Sequence, residues 1–147
     1  MTGSIVVGID GSETSQLAAR WAALEAASRG DALRLVSAWD LPTFGFSFGA
    51  APDSEELVKA MQKTAEDNLA QALDLVREIT NVIEVSTEAA EGNAASTLLE
   101  AARDADLLVV GSRGLGGFRD LLLGSVSEQC ANHASCPVVI VRHLPDE

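Results

Sequence analysis

The stretch GSRGLGGFRDLLLGSVS, residues 111–127, holds five of the chain's twelve glycines, follows the apolar run LLVV and contains no lysine. Glycine turns after strands aim successive backbone amides at anions, so the chemistry on offer is phosphate binding without a P-loop lysine. Gly111 closes the strand, where a missing side chain lets a ribose or phosphate approach the backbone. Gly114, Gly116 and Gly117 permit the positive-φ turns of an anion nest. Gly124, Ser125, Val126 and Ser127 then open a helix whose first amides lack intrahelical partners and whose dipole favours negative charge. Ser125 and Ser127 add hydroxyl donors, and a divalent ion such as Mg or Mn bridging the phosphates would neutralise the rest. A long structural turn is the alternative reading of the same glycines.

Other groups with chemical potential are sparse. Asp10, in VGIDGS, either faces a ligand or caps the turn through Gly11 and Ser12. His133 lies eight residues beyond Ser125, ~12 Å along a helix, and cannot reach phosphates there. His143 reads as solvent-facing. Hydrolysis needs a base within ~3 Å of an oriented water, and only Asp10, Asp40 or Asp120 stands near the strand ends. With no Walker lysine and no acidic metal cluster, the reading is a binding protein with no catalytic residue, at most a slow ATPase. Cys130 and Cys136 have neither CxxC nor metal-ligand spacing and read as small buried hydrophobes.

The elements that must position these residues alternate between short apolar runs and helical patterns, the signature of βαβ units. Strands are expected at 4–10, 32–39, 82–89 (edge-like), 106–111 and 137–143. Ser12 should cap a helix over 13–28, with Leu17, Ala18, Trp21 and Leu24 as its apolar stripe and Gly30 as its stop. A second helix runs 54–80, Asn93 caps a third, and the fourth spans 125–135. Residues 42–53, with Phe44, Phe46 and Phe48, form a loop or lid. Right-handed crossovers that cover both faces force the strand order to reverse once, and ligands bind at that point beyond the carboxyl ends. Placing strands one and four side by side gives an open parallel five-stranded sheet, order 3-2-1-4-5, with helices on both faces. Asp10 and Gly111 then share one crevice.

Length and charge bound the rest. The 147 residues make one α/β domain, residues 1–147. The net charge of -12 disfavours nonspecific nucleic-acid binding. No apolar run approaches a membrane span, and MTGSIVVGID lacks a basic leader, so a cytoplasmic location is expected.

The spacing Gly111-x2-Gly114-x9-Gly124-Ser125 resembles the nucleotide signature of ATP-binding universal stress proteins. VGIDGS, EGNAASTLLEAARDADLLVVGSRGLGG and LLLGSVSEQCANHASCPVVIVR extend the likeness over nearly the whole chain, residues 40–80 least. The family fold is Rossmann-like, of the adenine nucleotide alpha hydrolase kind. The resemblance implies that Asp10 and Ala38 lie at the adenine and ribose end, with Trp39 beside them. Val110 and Gly111 would meet base and ribose, and Arg113 and Gly114 the ribose-phosphate junction. Gly124, Ser125, Val126 and Ser127 would hold the phosphates. It further implies ATP as cofactor, a stress or signalling role with an unknown protein partner, and a homodimer through strand 137–143. The alternatives are a cyclic AMP-binding protein and a nucleotide-independent interaction module.

Overall fold

Five apolar runs become five parallel strands, each joined to the next by a helix that crosses over the sheet. The computed structural model describes residues 2–40, 54–113 and 123–143. In chain order these are β1 (Ser4–Gly8), α1 (Glu13–Arg29), β2 (Ala32–Trp39), α2 (Ser54–Ile79), β3 (Val85–Glu91), α3 (Ala94–Ala101), β4 (Leu107–Gly111), α4 (Ser125–His133) and β5 (Val138–Val141). The sheet is parallel with order β3-β2-β1-β4-β5, as expected. Residues 42–53, and the glycines at 114, 116 and 117, lie outside the described residues. No helix among the described residues is long and apolar enough to cross a membrane.

Strand alternation sorts the core into two layers. Ile5, Val7, Leu33, Leu35, Leu107 and Val109 face α1 and α2. Val6, Val36, Leu108 and Val110 face the opposite way, against Leu98 of α3 and Cys130 of α4. β3 is an exposed edge, as its alternating sequence suggests, although it starts three residues later than expected. Similarly, β1 ends at Gly8 and β5 is confined to Val138–Val141, although Ile9 still donates to the Val36 carbonyl and Pro137 still accepts from Leu108.

The caps follow the sequence. Ser12 accepts the Ser15 amide, Asn93 accepts the Ser96 amide, and Gly30 ends α1 at φ 72°. The stripe of α1 does not. Its fully buried side chains are Ala18, Ala19, Ala22, Ala23 and Ala26, whereas Leu24 is 61% exposed. An alanine face lets α1 lie close against the sheet and α2 at once, a choice that hydrophobic size alone misreads.

Cys130 is fully buried on the α4 side, and Cys136 packs half-buried against the same layer. Burial, with the neighbouring Cys136, pushes the Cys130 thiol from 9.0 up to about 11. Burial first, then Asp106, also raises Cys136. Folding thus opposes thiolate formation, so this contribution to stability is complete below pH 9 and is lost as pH rises through about 11. Urea midpoints should hold from pH 7 to 9 and fall beyond. Cys130→Ala should flatten the fall, and an unchanged slope in that variant would refute the assignment.

Candidate functional site

β1 and β4 are neighbours, paired Ile5 with Leu107 through Val7 with Val109, so their carboxyl ends open side by side. Between those ends lies a cavity on the α3–α4 face. Of the ten residues expected to meet a nucleotide, Asp10, Ala38, Val110, Gly111, Arg113, Val126 and Ser127 line it. Gly124 and Ser125 adjoin it without lining it, and residue 114 lies outside the described residues. The cavity measures about 60 Å³, room for roughly two waters.

Asp10 caps the turn. Its Oδ1 accepts the Ser12 amide at 2.9 Å and the Ser12 hydroxyl, which fixes the turn into α1. It also stands in the cavity wall. Gly11 completes the turn at φ 83°, a backbone state that any side chain would strain.

The N-terminus of α4 is tied to β4. The Gly124 amide donates to the Ser112 carbonyl at 2.6 Å. The Ser127 hydroxyl, 1% exposed, lies 3.1 Å from that carbonyl and 3.0 Å from the Gly124 carbonyl. Ser127 therefore anchors the helix, and its proton is committed to the protein rather than offered to a ligand. Ser125 is exposed, and its oxygen accepts from Gln129, which leaves its own proton free to donate outward. Gly124 makes no side-chain cap, and the amides of Ser125, Val126 and Ser127 have no hydrogen-bond partner among the described residues.

Gly111 carries a different structural duty from the one its sequence suggests. A Cβ there would stand 2.5 Å from Thr14 Oγ1, 2.7 Å from the Thr14 carbonyl carbon and 2.9 Å from the Ser15 amide. Its missing side chain makes room for α1 on the opposite face, while its backbone borders the cavity. Trp39 is also displaced from its expected place. Ala38 and Val36 share the cavity face, and alternation turns Trp39 to the other one.

Sequence reasoning missed Gly8, Ile9, Ser12, Ser15, Val36, Ala94 and Leu98, all of which line the cavity. Val36 was recoverable as the same-face neighbour of Ala38. Ala94 and Leu98 were not, since only the crossover brings α3 over β1. His133 is exposed at the end of α4 and lines no cavity wall. His143 is exposed as expected and meets Glu13 at 3.0 Å.

Comparison with known proteins places this arrangement among relatives. The sequence model of the Universal stress protein family matches residues 1–142. A universal stress protein of Mycobacterium tuberculosis is 37% identical over 144 residues, covering 98% of this chain and 50% of the relative. The chain thus spans about half the length of the curated relatives it matches. Among solved structures, universal stress protein UspA from Lactobacillus plantarum superimposes with TM-score 0.84 at 25% identity, covering 95% of this chain and 97% of that one. A universal stress protein in complex with cAMP gives TM-score 0.68 at 27% identity, covering 96% and 97%.

Proposed function

We propose that this chain, which belongs to the universal stress protein family, is an ATP-binding member whose output is a nucleotide-dependent conformation rather than turnover. The observation that carries this reading is convergence. Seven residues expected to touch a nucleotide, drawn from four separate sequence segments, line one cavity at the strand-order reversal. The open amides of α4 stand beside it, where phosphate is favoured. Among the described residues no group of three His, Cys, Asp or Glu side chains converges as a metal site. Mg or Mn bound with the nucleotide would neutralise phosphate charge.

Amides and dipoles of this kind bind substrate and transition state about equally, which yields affinity without acceleration. Asp10, whose carboxylate lines the cavity, is already accepting two hydrogen bonds from Ser12. Equilibrium dialysis with labelled ATP should show saturable binding, and single-turnover assays with magnesium should show bound ATP persisting for many minutes. Turnover near the ~10 per second of an ordinary enzyme, lost in Asp10→Asn, would overturn the binding-protein reading. The relative solved with cAMP motivates a second ligand, and cyclic AMP displacing ATP more effectively than AMP does would favour it.

The assembly we propose is a two-fold dimer through β5, an open edge whose Val138–Val141 run is only half-buried. The β5 carbonyls of Pro137 and Val141 accept from β4, so odd-numbered residues bond inward and Val138 and Ile140 face the free edge. Ile140→Pro should therefore weaken the dimer and spare the sheet, whereas Val139→Pro would break the β4 ladder. Sedimentation showing the parent chain monomeric at roughly tens of micromolar, a weak-dimer range, would refute this.

A further inference from the structure

We propose that a second cavity, on the α1 side of the β4 and β5 ends, is a binding site for a free phosphate-sized oxyanion, separate from the nucleotide pocket. It is lined by Thr14, Ser112, Arg113, Arg142 and His143 and measures about 260 Å³. Arg113 alone is shared with the first cavity. The site does not depend on nucleotide occupying the other pocket.

Charge is the first argument. The chain carries ten Lys and Arg and two His against twenty-two acids, yet three of its basic side chains meet at this one cavity. Elsewhere, Arg29, Arg34, Lys59, Lys63 and Arg103 each lie within 3.8 Å of a carboxylate, while at the cavity itself His143 is paired with Glu13 and Arg113 has a partner of its own, so Arg142 is the group the site depends on. Arg142 forms no ion pair among the described residues, so its fork is available to an incoming anion. Guanidinium groups bind tetrahedral oxyanions through paired N–H donors, and a local cluster is needed where the overall field repels anions.

An independent observation lies in the wall. Ser112 is 4% exposed, and its backbone is fully used, the amide on Val141 and the carbonyl by Gly124. Its hydroxyl takes part in no hydrogen bond among the described residues, and since none of their fully enclosed side-chain oxygens lacks a partner, it keeps accessible surface where Ser112 lines the cavity. An oxyanion in this cavity would supply that partner. Thr14, 8% exposed, has its proton on the Arg113 carbonyl and keeps a lone pair for a protonated phosphate oxygen. Glu13 opposes the anion, since its carboxylate holds His143 at 3.0 Å.

Calorimetric titration of the full chain with inorganic phosphate, in a low-salt chloride buffer, tests the site. One saturable site is expected. Arg142→Gln should weaken it roughly tenfold or more, and Glu13→Gln should tighten it, with ATP affinity unchanged in both. Gly124→Asp, aimed at the nucleotide pocket, should leave phosphate binding intact, so the two sites can fail separately. The proposal is overturned if phosphate gives no saturable heat, or if Arg142→Gln binds it like the parent. Displacement of phosphate by ATP but not by AMP would overturn it as well, because the cavity would then belong to the outer phosphates of the nucleotide.

Discussion

Gly124→Asp should abolish the proposed ATP binding and leave the fold in place. Gly124 sits at φ -74°, ψ 167°, ordinary extended backbone that aspartate adopts without strain. As the N-cap of α4 it makes no side-chain hydrogen bond, and aspartate is among the best residues for that position. The helix should therefore be as stable as before or slightly more so. The same carboxylate would compete for the amides meant for phosphate and repel it. At 4 Å and an effective dielectric near 20 that repulsion is ~4 kcal/mol, and half of it already exceeds a tenfold loss of affinity. Dialysis and a thermal melt on one preparation decide the matter. A variant that melts like the parent and still binds ATP like it would remove α4 from the phosphate site.

The second large effect is on stability. Gly111→Ala places a methyl group 2.7 Å from backbone carbon of Thr14 and 2.9 Å from the Ser15 amide. Neither can rotate away, so the first turn of α1 must leave β4. Overpacking of this kind costs about 1–3 kcal/mol, a large share of a typical domain's 5–15 kcal/mol. The midpoint should fall by roughly 3 to 10 °C. Gly8→Ala is the control. Its Cβ meets only the end of Leu98, 2.7 Å from Cδ1, and that flexible side chain can swing aside. Gly8→Ala should melt close to the parent while narrowing the cavity that both residues line. Equal melting of Gly111→Ala and the parent would sink the packing argument.

The sequence by itself determined the element order, the reversal of strand order between β1 and β4, and the caps at Ser12, Gly30 and Asn93. Those features follow from local signals, namely apolar runs, glycine punctuation and capping side chains, together with the handedness of crossovers. Asp10 and Gly111 of the cavity wall follow from strand ends that converge at a reversal point, and Val126 and Ser127 from the helix that opens beside them, whereas Ala38, Val110 and Arg113 came from the resemblance to the family. Only the tertiary structure decided which face each of those residues serves. Gly111 looked like an opening for ligand, yet its missing side chain admits α1. Ser127 looked like a phosphate donor, yet its hydroxyl is committed to the carbonyls of Ser112 and Gly124. Of the expected α1 stripe, Ala18 is buried and Trp21 packs against the core, but Leu24 is exposed and Ala19, Ala22, Ala23 and Ala26 are buried, since closeness of approach to two neighbours outweighs side-chain size. Arg113, Arg142 and His143 come together only because β5 lies beside β4 in the finished sheet. Period and propensity act between residues a few positions apart, whereas shared faces and convergent charges arise between residues that folding alone makes neighbours.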